Sequence, residues 1–174
     1  MEAKPCLDSF VVKTSLVLPP DTNSHGTLFG GKLMSYIDDV AALSAMRHAR
    51  KPVVTASNDS VDFLHPIHEG NSVCLESFVT YAGRTSMEVF VRVISEDLLT
   101  GERHLCALAF LTFVAIGEDG RPTEVPKVIP ETKEEKELYA TAPERAAARK
   151  KRREQSKLLA KKFGTEYPWR RKRE

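Results

Sequence analysis

Between Lys32 and Arg50 apolar or small residues recur at every third or fourth position, through Leu33, Ile37, Val40, Ala41, Ser44 and His48. That period predicts an amphipathic α-helix. From Ser86 to Glu96 the period changes to two: Met87, Val89, Val91 and Val93 share one face, with largely polar residues opposite. This is the pattern of a strand. Phe10 to Leu18, Val53 to Leu64 and Ser72 to Tyr81 read as further strands. Cys106 to Ile116 is the most continuously apolar stretch, as expected of a central strand covered on both faces. Prolines and glycines break the pattern at Pro19-Pro20, Pro52, Pro66 to Gly70, Ala82-Gly83-Arg84, Leu99 to Glu102 and Glu118-Asp119-Gly120. The order is a strand, a long helix, then four strands expected to run as a meander. It predicts an α+β domain with the helix against an antiparallel sheet. An exposed sheet edge and a partly apolar surface are liabilities for a single copy, so a homodimer with two-fold symmetry is expected.

Composition changes this picture at one end. The 174 residues carry a formal charge of +2, but the average conceals a division. Residues 1–130 hold 11 Lys and Arg against 16 Asp and Glu, a net of −5, whereas residues 131–174 hold 15 against 8, a net of +7. The break falls at Val125-Pro-Lys-Val-Ile-Pro130, where two prolines lack the donors a central strand needs. A folded domain over residues 8–125 and a charged, largely helical extension over 131–174 are expected. Thr141-Ala-Pro-Glu144 reads as the capping box that starts the tail helix, and Gly164 as its stop. Such a helix would be roughly 33 Å long. It has no sustained apolar stripe, so it reads as a solvated helix along a neighbouring subunit or as an arm for an anionic ligand; nucleic acid is not the expected partner.

Three scattered cysteines, Cys6, Cys74 and Cys106, argue against a disulfide framework or a zinc site and for a reducing cytoplasm. The opening Met-Glu-Ala-Lys-Pro-Cys has neither the basic nor the apolar region of a secretory leader, and no run of about 18 apolar residues occurs. No span of a membrane and no metal are therefore expected. His65-Pro-Ile-His68 places two histidines in a proline turn without a third ligand nearby, which reads as a surface loop.

The chemistry concentrates at the helix. With Ile37 at zero and about 100° per residue, Asp39 falls in the middle of the polar side and Asp38 near +100°, on the border of the buried stripe. A partly desolvated carboxylate suits general-base work, although the same position suits an aspartate that merely pairs at the helix flank. Gly30 and Gly31 open the helix, where unpaired N–H groups and the positive dipole end point outward. Without a Cβ there, a ligand carbonyl can approach those donors closely, as in an oxyanion hole; a tight loop-to-helix turn is the plainer explanation. Asp38 lies about 11–12 Å further along the axis, so straight reach to one carbonyl from a single helix is excluded. Asp38 of one subunit meeting the glycine end or Asn23 of another would close the gap.

These residues lie in a recognisable stretch. Asp21-Thr-Asn-Ser-His-Gly-Thr-Leu-Phe-Gly-Gly-Lys-Leu-Met-Ser-Tyr-Ile-Asp38 closely resembles the signature of the HotDog-fold acyl-CoA thioesterases, bacterial acyl-CoA hydrolases related to the cytosolic long-chain enzymes of animals. Val53-Val-Thr-Ala-Ser, Phe63-Leu-His-Pro-Ile67, Gly83-Arg-Thr-Ser-Met-Glu88 and Thr112-Phe-Val-Ala115 extend the resemblance over about residues 8–130. It implies a long central helix wrapped by a five- or six-stranded antiparallel sheet, and hydrolysis of fatty acyl-CoA to CoA and the free acid. It implies that Asp38 is the catalytic carboxylate, as base or nucleophile. Asn23, from the opposite subunit, would hold the water or the thioester carbonyl, and Gly30 and Gly31 would supply backbone donors. Arg84, Thr85 and Ser86 match the segment that contacts CoA, and the backbone at Phe63 would pair with the pantetheine amides. No cofactor is implied beyond the CoA of substrate and product, and the assembly implied is a dimer, with a trimer of dimers (a hexamer) beyond it. The rival reading is a non-catalytic acyl-CoA-binding regulator that uses the basic tail to contact nucleic acid or a protein. A dehydratase on this fold fits poorly, because no suitably placed histidine accompanies the carboxylate.

Overall fold

Five strands form one antiparallel sheet in the order β2-β4-β5-β6-β3, with α1 (Gly30–Ala49) across one face. The strands are β2 (Val11–Leu16), β3 (Val53–Phe63), β4 (Ser72–Ala82), β5 (Ser86–Glu96) and β6 (Arg103–Ala115). Two short strands, β1 (Lys4–Pro5) and β7 (Val128–Ile129), pair in parallel beside them. The structure, a computed structural model, describes residues 1–167 and 169. It falls into two compact units, Met1–Ala140 and Thr141–Glu174. Among the described residues no helix is long and apolar enough to cross a membrane.

The strand order corrects one expectation. Only β4, β5 and β6 form a meander; β3 crosses over to pair with β6, leaving β2 and β3 as the two edges. The crossover follows from pattern. Val53 to Phe63 is rich in polar residues and mostly exposed or half-buried, so it suits an edge, while β4 and β5 are buried along almost their whole length. Two register shifts, between Thr55 and Ser57 and between Asn58 and Ser60, bulge β3 against β6.

One face of the sheet packs on α1. Val79, Val89 and Leu111 stand in one cross-strand row and Leu75, Val93 and Ala107 in another, all essentially inaccessible. Small residues bring the helix close: Ala41, Ser44 and Ala45 are fully buried. The Ser44 and Ser77 hydroxyls meet at 2.7 Å, and Ser77 also donates to the Val40 carbonyl at 3.0 Å. Each buried hydroxyl is thus satisfied where the backbones approach. Met34 and Leu43, elsewhere on the helix, are about half exposed in the single chain. The opposite face carries a row of rings, Phe10, Phe78, Phe90 and Phe110, with successive centroids 6.2, 5.8 and 5.3 Å apart. There Arg92 bridges Glu76 at 2.7 Å and Glu134 at 3.2 Å.

His48 at the end of α1 is fully buried. Its Nε2 lies 2.9 Å from the Pro126 carbonyl, which makes Nε2 the protonated nitrogen, while Nδ1 has no partner among the described residues. Burial holds its pKa below 6.5, against a smaller opposing effect of the Pro126 carbonyl. Because the folded value is the lower one, the unfolded chain binds more protons as the pH falls below 6.5. Stability is therefore full above that pH and is lost as the pH drops toward the folded value. The urea midpoint should fall between about pH 7.5 and about pH 5.5, and His48→Gln, whose amide can still donate to Pro126, should flatten that slope. An equally steep slope in the variant would exclude His48 as its source. Cys6 is buried too, and burial, reinforced by Glu135, pushes its thiol up to about 12, which makes it a poor nucleophile.

The helix α2 (Lys133–Lys162) corrects a second expectation. It begins at a capping box formed by Thr132 and Glu135, not at Thr141: Thr132 Oγ1 accepts from the Glu135 N–H at 3.2 Å, and the Glu135 carboxylate accepts from the N–H groups of Glu131 and Thr132 at 2.7 and 3.0 Å. Both boxes read Thr-x-x-Glu in sequence. The earlier one prevails because the residues between them are mostly good helix formers and nothing interrupts them. Pro143 then lies inside the helix, at the loss of one backbone donor.

Candidate active site

Asp38 lies half-buried on α1 and accepts a hydrogen bond from Thr55 Oγ1 at 3.0 Å. The donor sits near the start of the edge strand β3 and orients one carboxylate oxygen, leaving the other for a reactant. Asp39 is on the polar side of the helix, paired with Lys13 at 3.2 Å. Thr55 lay within a quoted motif, but its role was not legible from periodicity, since the contact joins elements 17 residues apart.

Asn23 organises the loop before α1. Its Oδ1 accepts from the His25 N–H at 2.9 Å and the Thr27 N–H at 3.3 Å, while Nδ2 donates to Thr27 Oγ1 at 2.9 Å. One Nδ2 hydrogen remains for an outside acceptor. The turn is completed by Gly26, whose φ of +70° favours glycine. The chain then enters α1 at Phe29 without a side-chain cap. The N–H groups of Lys32 and Leu33 turn back to the Phe29 carbonyl, at 2.9 and 3.1 Å, whereas those of Gly30 and Gly31 are first-turn donors pointing out of the helix. A Cβ on Gly31 would stand 2.5 Å from the Phe29 ring; one on Gly30 would be 4.0 Å from Phe63, an ordinary contact. A side chain at 31 would therefore require the exposed Phe29 ring to swing aside, whereas one at 30 meets no obstacle.

Gly30 and Phe63 line one cleft of about 230 Å³ with Thr27, Leu33, Leu64 and Ile67. Next to it, sharing His65 and Pro66, is a cleft of about 400 Å³ that includes His68, Asp97 and His104. Among the described residues no group of three or more His, Cys, Asp or Glu could hold a metal ion.

Arg84 and Thr85 lie in the β4–β5 connection and Ser86 begins β5. Their carbonyls are held by the N–H groups of Val125, Ala115 and Gly83 at 3.0, 3.0 and 2.8 Å, and the Arg84 side chain is exposed. Lys127 sits against the same hairpin, donating to the Gly83 carbonyl at 3.0 Å, and with Arg84 lines a cleft of about 430 Å³. Lys127 was not anticipated. It lies within the proline break, between Pro126 and Pro130, where sequence pattern gives no sign of a return to the sheet.

Register fixes how these groups are distributed. Thr55 pairs with Phe113 and Phe113 with Met87, so the Asp38–Thr55 pair and the Arg84–Ser86 hairpin occupy the same end of the sheet, two strands or about 10 Å apart. Phe63 pairs with Ala107 at the other end of β3, roughly 25 Å from Thr55 along the strand. Within one chain the carboxylate and the glycine end of the helix are separate.

The model of the thioesterase superfamily matches residues 25–102. A Bacillus subtilis protein named as an uncharacterised acyl-CoA thioester hydrolase is 60% identical over 168 residues, 97% of this chain and 98% of its own. This chain belongs to the HotDog-fold acyl-CoA thioesterases. A solved hexameric acyl-CoA thioesterase without ligand is 57% identical over 87% of this chain and 97% of its own, with a TM-score of 0.85. The acyl-CoA hydrolase of Staphylococcus aureus, solved with butyryl coenzyme A, coenzyme A and coenzyme A disulfide, is 47% identical over 91% of this chain and 97% of its own, with a TM-score of 0.88. Structures of that hydrolase also exist with an asparagine, an aspartate or a threonine replaced by alanine; these lie 15 and then 17 positions apart, the spacing of Asn23, Asp38 and Thr55 here.

Proposed function

We propose that this thioesterase hydrolyses fatty acyl-CoA at a composite site, built from the Asp38–Thr55 end of one subunit and the Asn23–Gly31 end of another. The observation that carries the reading is the placement of those two half-sites at opposite ends of one exposed edge strand. A two-fold axis beside Asn58, the central residue of β3, would pair Val53 of one copy with Phe63 of the partner subunit. The sheet edge is then covered, and Asp38 of one copy comes to the loop and helix start of the other. The hexameric relative supports a further assembly of such dimers.

In that site the thioester carbonyl oxygen lies against the N–H groups of Gly30 and Gly31, which stabilise the charge that develops there. The remaining Nδ2 hydrogen of Asn23 positions the carbonyl or the incoming water. Asp38 either takes a proton from water or attacks the carbonyl itself, and its second oxygen stays fixed by Thr55. The sulfur leaves as CoA thiolate and takes up a proton, and the acyl group leaves as the free acid. Attack by Asp38 gives a mixed anhydride that water must then open, and a single turnover in heavy-oxygen water that labels Asp38 and leaves the released acid unlabelled identifies this route, with opening at the aspartyl carbonyl. The CoA phosphates are expected at Arg84, with Lys127 beside it, and the pantetheine amides along the backbone near Phe63. The three free cysteines support a reducing, cytoplasmic setting.

The reading is tested by following free thiol release from acyl-CoA substrates of increasing chain length. Thr55→Val should lower kcat about tenfold with little change in KM, because it loosens the carboxylate without touching the CoA contacts. An unchanged kcat would remove Thr55 from the mechanism.

A further inference from the structure

The unit Thr141–Glu174 has a division of its own. From Arg145 through Lys162 the sequence holds nine Lys and Arg against one Glu. The last turns and the residues beyond them then expose large apolar side chains: Leu158, Leu159, Phe163, Tyr167 and Trp169, the last 76% exposed. Tyr167 and Trp169 stack at 4.7 Å between ring centroids, with their planes nearly parallel. The sequence continues as Arg-Arg-Lys-Arg-Glu. Cations thus flank an apolar, aromatic end on both sides.

We propose that this C-terminal unit docks on an anionic lipid surface, with Phe163, Tyr167 and Trp169 entering the headgroup boundary and the flanking Lys and Arg meeting lipid phosphates. Charge complementarity argues for it: each half of the match, basic side chains and amphipathic rings, is what the interface of a negatively charged bilayer attracts. A polynucleotide would satisfy the cations but has no use for exposed Leu158 and Leu159. A second copy would satisfy the apolar residues, but contacts between proteins are depleted in lysine, and the helix has no continuous stripe along which two copies could pair.

Trp169 is the only tryptophan, so its emission reports on this end alone. The full chain is mixed with vesicles of phosphatidylglycerol and phosphatidylcholine, with vesicles of phosphatidylcholine alone, and with a single-stranded oligonucleotide. The expected result is co-sedimentation with the anionic vesicles only, a shift of emission to shorter wavelength, and binding about tenfold weaker when salt is raised from about 0.1 M to about 0.5 M. The double variant Leu158→Glu, Phe163→Glu should bind at least about tenfold more weakly while sedimenting as the same oligomer. Emission already at short wavelength without vesicles, and unmoved by them, would mean that another copy covers this end and would overturn the proposal. So would vesicle binding without any shift, or binding to the oligonucleotide with no binding to vesicles.

Discussion

Asp38→Ala is expected to lower kcat for acyl-CoA hydrolysis by about a thousandfold and to leave KM within about threefold. In the proposed site the two effects separate, because the carboxylate would stand at the reacting carbonyl and affinity would come from groups holding CoA about 10 Å away at the β4–β5 hairpin. Folding should be little disturbed: Asp38 is half-buried, and its one described side-chain partner, Thr55, is solvent-exposed and can turn to water. A thermal midpoint within a few degrees of the parent checks this. Asp38→Asn is the sharper probe. It preserves the shape and the acceptor for Thr55 but cannot take a proton, so it should be nearly as inactive as alanine. Thiol release within about twofold of the parent in both variants would sink the role given to Asp38.

Mixing two inactive variants is expected to restore activity. Asn23→Ala and Asp38→Ala each damage every site of their own homodimer, although the first also weakens the loop that Asn23 ties together through His25 and Thr27. In a mixed dimer one site collects both damaged residues and the other collects neither. With random exchange half of the dimers are mixed, so about a quarter of the parent activity should appear when equal amounts are unfolded and refolded together. A site contained within one chain would give none, because no chain in the mixture would carry both residues. Recovery no greater than the sum of the separate variants would therefore exclude the composite site while leaving the role of Asp38 intact.

How much of this was legible in the sequence depended on the range of each interaction. The body of α1 and the bounds of β5 follow from period alone, since a buried helix face and a buried strand are local patterns: Ser86–Glu96 was read with its ends in place, and the helix read over Lys32 to Arg50 spans Gly30–Ala49. The crossover of β3 was not, because which strand pairs with which is decided by burial summed over the whole sheet. The start of α2 was misread because two identical capping patterns compete and only context chooses between them. Within the site, the angular position of Asp38 could be computed from the helix, but Thr55 and Lys127 reach their places through contacts distant along the chain. The glycines were singled out as suited to a carbonyl, and the role of Asn23 came from the family resemblance. That they stand at the far end of β3 from Asp38 is a matter of register, which only the folded sheet reveals.

The edge strand has a consequence of a different kind. If the half-sites meet about a two-fold axis beside Asn58, the eleven residues of β3 work as a ruler, setting how far apart the chemistry of each chain is held. Its two bulges are graduations that cannot be moved independently. One inserted residue would turn every following side chain to the other face and lengthen the ruler in both copies, spoiling both sites with a single genetic event. The loops around it can grow or shrink at no such cost. In this protein, then, the segment least free to change its length would carry neither the proposed base nor the backbone proposed to hold the developing anion.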